Sequence, residues 1–125
     1  MILFDNNIVK LLNDYIAESD QYVESILLAS YGFGIQFVDF NIHCSESVFA
    51  SINGASYEWN DAPNSGPWGS LGRQKAILVS LKRPDLLTIA FDSGDYLDIQ
   101  TAEGQYESVI FDFPSGSESI TMEIY

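Results

Sequence analysis

The strongest constraint on how this chain can fold lies in residues 85–113, DLLTIAFDSGDYLDIQTAEGQYESVIFDF. Two apolar-alternating runs, 86–91 and 96–100, flank Asp92-Ser93-Gly94-Asp95. A short Gly-containing spacer between such runs is the pattern of a β-hairpin, because glycine reaches the positive φ that a tight reversal needs. The period of two also assigns faces. Leu97 and Ile99 can point inward only if Tyr96, Asp98 and Gln100 point outward. Likewise, Val109, Phe111 and Phe113 inside leave Tyr106, Ser108, Ile110 and Asp112 outside. The stretch is expected to be scaffold on one face and an acidic, tyrosine-bearing contact surface on the other.

Strand patterning recurs through the chain. Asn53-Gly54 within 48–60 is the strongest short-range hairpin signal, since both residues tolerate positive φ. It sets Ile52 opposite Ala55, Ala50 opposite Tyr57 and Val48 opposite Trp59. Ahead of it, Ile8, Leu11, Leu12, Tyr15 and Ile16 recur at helical spacing, so residues 7–18 read as an amphipathic helix capped by Asn6 or Asn7. A strand over 23–30 follows, then a flexible turn at Tyr31-Gly32-Phe33-Gly34 and a second strand. In that second strand the apolar positions change parity, from Ile35 and Phe37 to Val38, Phe40 and Ile42, which demands a bulge or burial on both faces. Residues 60–70, NDAPNSGPWGS, read as a loop with Trp68 stranded in it. Strand character resumes over 71–81, Arg83-Pro84-Asp85 turns the chain, and further strands are expected over 106–113 and around Ile120, Met122 and Ile124.

The resulting expectation is an α+β fold, predominantly antiparallel β, in a single domain over 1–125. An N-terminal helix precedes about eight strands arranged in two hairpin-rich halves, 22–60 and 71–125, separated by the 60–70 loop. The halves resemble each other faintly. At an offset of 51, Ile26, Leu27, Leu28, Ile35, Val38 and Phe40 fall on Ile77, Leu78, Val79, Leu86, Ile89 and Phe91. Duplication of a strand-turn-strand unit would produce this alignment, and so would any two β-segments of similar length.

Charge restricts the partners. Eighteen acidic residues against five basic ones give a net charge of −13, which disfavours phosphate backbones and anionic lipid and favours a basic partner. Four of the five cations (Arg73, Lys75, Lys82, Arg83) lie between positions 73 and 83, and residues 84–125 carry nine carboxylates and no Lys or Arg. A hydrophobic fraction of 46% with 14% aromatics suits a folded chain rather than an acidic disordered one. The lone Cys44 allows no internal disulfide and fits a reducing compartment. The N-terminus lacks the pattern of a signal peptide, and no run is long enough to span a membrane, so a cytoplasmic location is expected.

Candidate chemistry is sparse. Asp92, Asp95 and Asp98 suggest calcium, but their spacing lacks the alternate ligands and terminal Glu of an EF-hand, and a solvated hairpin tip accounts for them. His43 and Cys44 are adjacent and so project to opposite faces of a strand, which separates base from nucleophile. Carboxylate pairs such as Asp95 with Asp98 or Glu103 with Glu107 could serve glycoside hydrolysis, yet with eighteen acids such pairs arise by chance. No Gly-rich phosphate loop is present, and neither metal, cofactor nor enzymatic activity is implied.

Residues 71–108, LGRQKAILVSLKRPDLLTIAFDSGDYLDIQTAEGQYES, resemble a pattern of small bacterial proteins encoded beside polymorphic toxins. The likeness rests on Leu71-Gly72, on Leu87, Ile89 and Phe91 with Asp92 and Gly94, on Leu97 and Ile99, and on Gln105-Tyr106-Glu107-Ser108. It implies an immunity protein of a contact-dependent growth inhibition system: a cytoplasmic inhibitor that binds a basic toxin domain, often a nuclease, and covers its active site. From the charge and parity of the chain itself, Asp92, Asp95, Tyr96, Asp98, Glu103, Tyr106, Glu107 and Asp112 are the expected contact residues. An alternative is an acidic nucleic-acid mimic of phage type, whose carboxylates imitate phosphates and inhibit a DNA- or RNA-binding enzyme. A small-molecule enzyme would require a deep pocket with convergent polar groups.

Overall fold

The computed structural model describes residues 3–29, 32–45, 47–59, 67–101, 109–113 and 122–125. Helix α1 spans Asn6–Glu18 and is capped by Asp5, whose Oδ1 accepts from the Ile8 amide at 3.1 Å. The cap therefore precedes the expected Asn6 or Asn7, and an aspartate there also complements the positive end of the helix. Ile8 and Leu12 carry its buried face.

Ten strands follow among the described residues: β1 Gln21–Ala29, β2 Gly32–Phe37, β3 Asn41–Cys44, β4 Val48–Ile52, β5 Ala55–Trp59, β6 Lys75–Arg83, β7 Leu86–Phe91, β8 Tyr96–Gln100, β9 Val109–Asp112 and β10 Met122–Ile124. A one-turn 3-10 helix, Pro67–Leu71, precedes β6. Every pairing is antiparallel, giving the β-rich α+β class. The Asn53-Gly54 hairpin has the anticipated register, with φ of 53° and 80° at its two corner residues.

Three local expectations are corrected. Gly32-Phe33-Gly34 lies within β2 instead of forming a turn. The parity change after Phe37 needs neither a bulge nor two-sided burial, because the chain reverses at Val38-Asp39, where the Phe37 amide donates to the Phe40 carbonyl at 2.8 Å. Each of the two short strands thus keeps its own apolar parity, with Phe37, Phe40 and Ile42 all buried. Trp68 is 1% exposed, packed at 5.4 Å on Phe33 and 6.2 Å on Trp59, so its loop-like neighbours hide a core residue.

The sheet order is β10-β9-β3-β2-β1-β6-β7-β8-β4-β5, which reads the same from either end when β1–β5 are exchanged for β6–β10. The correspondence extends to register. Phe33, Gly34, Ile35 and Gln36 pair with Cys44, His43, Ile42 and Asn41, while Leu87, Thr88, Ile89 and Ala90 pair with Ile99, Asp98, Leu97 and Tyr96. Cys44 pairs Val109 as Ile99 pairs Val48. A bulge falls at the same place in β1, between Val23 and Ser25, and in β6, between Ala76 and Leu78. Tyr22 pairs Lys75 at the centre, where the two halves meet. The two halves therefore repeat one another in structure, but not in the alignment apolar matching selects: Ile26 corresponds to Val79, and Phe37 to Phe91. Equal spacing failed because the two halves differ in turn length and by an extra residue in β6.

Nor do the halves stand side by side. Each contributes a three-stranded meander and a hairpin, and the hairpins are exchanged: β4-β5 lies on β8, and β9-β10 lies on β3. The sheet also folds over on itself. Phe37 of β2 and Phe91 of β7 stack at 6.3 Å although β1 and β6 lie between them, and the Cys44 thiol of β3 reaches the Gln100 carbonyl of β8 at 3.6 Å. Inner side chains of both halves join one buried cluster. Helix α1 closes it, with Tyr15 stacked on Phe113 at 5.3 Å and Asn13 bonding both the amide and the carbonyl of Val79 at 2.8 Å. That side-chain amide supplies β6 with the hydrogen bonds a neighbouring strand would give.

Candidate functional site

The repeated topology separates what the fold requires from what it does not. One polar device occurs in both halves. Gln21, fully buried before the β1 bulge, donates to Asp39 Oδ2 at 2.7 Å and accepts from the Asp39 amide at 3.0 Å, tying the start of β1 to the β2-β3 turn. Gln74 occupies the matching place before β6 and donates to Asp95 Oδ2 at 2.8 Å in the β7-β8 turn. Asp95 Oδ1 also accepts from the Asn53 amide at 3.0 Å, which anchors the exchanged β4-β5 hairpin. The Gln74 amide pulls the Asp95 carboxyl below its usual range; burial opposes this, and the Asn53 and Ser93 donors add to the lowering. In the other half, burial, with the nearby Asp39 and Glu18 charges, raises the Tyr15 phenol. Asp95 is thus a structural clasp, 7% exposed, on the hairpin tip expected to be solvated.

The other expected contact residues are dispersed. Asp92 is exposed at the same tip, its Oδ1 accepting from the Lys75 amide at 3.2 Å. Tyr96 and Asp98 project from the outer face of β8, as parity requires, with Leu97 and Ile99 inside. Asp112 is half-buried on the outer side of β9. Glu103, Tyr106 and Glu107 lie outside the described residues. The stretch 85–113 does not form one continuous face, because β3, β2, β1, β6 and β7 stand between β8 and β9 in the sheet. Sequence proximity implied adjacency, and the exchanged hairpins remove it.

Around Asp98 the second half departs from the first. Asp98 is 6% exposed, accepts from the Thr88 hydroxyl and pairs with Lys82 Nζ at 2.8 Å. The same ammonium lies 4.4 Å from the centre of the Tyr96 ring. Lys82 is the residue that β6 inserts by a second register shift, between Leu81 and Arg83; β1 passes from Leu28 to Ala29 in the matching region with no shift. Bulges of this kind re-aim a side chain, here onto the outer face. The counterparts of Thr88, Tyr96 and Asp98 are Gly34, Asn41 and His43. A side chain at Gly34 would meet the His43 ring at 3.1 Å, so the imidazole occupies the space that the Thr88 side chain fills in the other half.

Asp98 and Tyr96 line a groove of about 510 Å³ together with Phe49, Tyr57, Glu58 and Arg83. The cross-strand pairs Asp98-Phe49 and Phe49-Glu58 run along it, mixing aromatic surface with carboxylate. Such a lining suits a flat cation better than a neutral apolar group. Lys82, Thr88 and Phe49 were not legible as site residues, since only the alignment of the halves marks Lys82 as an insertion. Among the described residues no group of three or more His, Cys, Asp or Glu is placed to hold a metal ion. No helix among them is long and apolar enough to cross a membrane. No family model, curated protein or solved structure matches the chain.

Proposed function

We propose that this protein is an acidic inhibitor that covers the active site of a basic toxin domain, in the manner of a cytoplasmic immunity protein against a nuclease. The observation that carries this reading is how the charge is spent. Of five cations, four already sit in ion pairs with the chain's own carboxylates: Lys10 with Asp14, Lys75 with Asp20, Lys82 with Asp98 and Arg83 with Asp85. Asp5, Glu18, Glu24 and Asp92 are exposed besides, so the surface repels polyanions and attracts a basic protein. The test uses candidate nuclease toxin domains, beginning with any encoded beside this chain's gene. One equivalent of the protein is expected to abolish the activity of one of them, with an association rate that falls at least about tenfold from low to high salt. Full nuclease activity of all of them in the presence of excess protein at low salt would sink the reading. Release of duplex DNA from many unrelated basic proteins would indicate a nucleic-acid mimic instead.

A further inference from the structure

We infer that the recess lined by Asp98 and Tyr96, with Thr88 holding the carboxylate, is a receptor for an arginine side chain of a protein partner, and that Lys82 is its displaceable resident. The receptor's existence stands on the geometry below; only the identification of the arginine's owner rests on the inhibitor reading above.

Three observations support it. First, the carboxylate-bearing lining belongs to one half only: the matching place in the other half is a smaller recess of about 190 Å³, with Gly34, Asn41 and His43 in its wall and no carboxylate. The fold forms the equivalent surface with Gly34, Asn41 and His43, so neither register nor core packing calls for Thr88, Tyr96, Asp98 or the extra Lys82. Second, the site already accepts a cation in the geometry a receptor would use: a carboxylate at 2.8 Å and an aromatic face at 4.4 Å from the same nitrogen. The Asp98 side chain is 9% exposed and held from behind by Thr88, whereas the Lys82 side chain is 47% exposed. The acceptor is fixed and its occupant is half in water, so exchange costs little. Third, the groove that Asp98 and Tyr96 line also takes in Phe49, Tyr57 and Glu58, leaving room for a larger planar group. A guanidinium can stack on Tyr96 and present two parallel donors to Asp98, and it is more weakly hydrated than an ammonium.

The experiment is a titration of the isotopically labelled protein with N-acetyl-arginine amide, followed by amide chemical shifts. Shifts are expected to concentrate at Phe49, Thr88, Tyr96 and Asp98, with N-acetyl-lysine amide binding more weakly. Lys82→Met removes the resident and should tighten binding about two- to fivefold. Asp98→Asn should abolish binding, and Tyr96→Leu, which leaves the carboxylate in place, should weaken it about threefold or more. Equal shifts at Asp14, Asp20 and Glu24 that persist in Asp98→Asn would overturn the proposal. So would a Lys82→Met variant that binds no more tightly than the parent. If Asp98→Asn fails to fold, the Lys82→Met and Tyr96→Leu results decide. Inhibition of the toxin domain without arginine binding would remove this receptor and leave the inhibitor reading intact, and arginine binding without inhibition would do the reverse.

Discussion

The two halves of the chain pair their strands alike yet cover them and decorate them differently. The meander β1-β2-β3 and the meander β6-β7-β8 share cross-strand registers, the position of a bulge and a glutamine-aspartate clasp. What lies ahead of each meander diverges: a thirteen-residue helix packs beside β6, and one 3-10 turn carrying Trp68 and Leu71 packs beside β1. Their outer faces diverge more, with Gly34 and His43 on one and Thr88, Asp98 and the inserted Lys82 on the other. Repetition marks the residues that hold the fold, and departure from it marks those free to serve another purpose.

That comparison can be tested most severely in the core. Phe37 and Phe91 occupy equivalent places, are each 1% exposed and stack on one another. Phe37→Ala and Phe91→Ala should each cost about 3–5 kcal/mol, and similar amounts, in denaturant unfolding. A difference above ~2 kcal/mol would show that the halves do not share the core equally. The clasps should show a smaller and unequal effect. Gln21 is fully buried and makes two bonds to Asp39, whereas Gln74 is half-buried, so Gln21→Ala should cost about 2–3 kcal/mol and Gln74→Ala about 1–2 kcal/mol. The reverse order would mean that the more exposed clasp bears more load. The smallest effect concerns acid. Because the Asp95 carboxyl is held below its usual range when folded, its contribution is present above the unfolded value near 3.8 and disappears as pH falls through the folded one. Asp95→Asn should flatten stability against pH on the acid side of that value, and an unchanged acid limb would show that the clasp does not depend on the charge.

The β-rich class, the helix and both tight hairpins were legible because each is written locally, in periodicity and in turn residues such as Asn53-Gly54. The reversal at Val38-Asp39 was not, since neither Gly nor Pro marks it and the parity change could be read in three ways. The strand order was least legible. Nothing in 109–113 says that Val109 will pair with Cys44 instead of with the strand just before it. At the candidate site, parity gave the side of the sheet for Tyr96 and Asp98 but not their enclosure, which depends on Lys82 and Thr88 arriving from two other strands. Asp95 misled for the opposite reason, because a hairpin-tip aspartate normally faces water and this one is enclosed by an exchanged hairpin and Gln74.

The exchange of hairpins also imposes an order on the birth of the fold. During synthesis, the first meander can zip from neighbouring residues as soon as it emerges, but β4-β5 has no landing strand until β8 has followed, and β3 keeps an open edge until residues 109–112 are made. Such long-separation pairings close slowly and leave apolar strands exposed in the interval. A pause between the halves on the ribosome would lengthen that interval, whereas synonymous changes that speed translation of 67–112 should raise soluble yield without altering a single side chain.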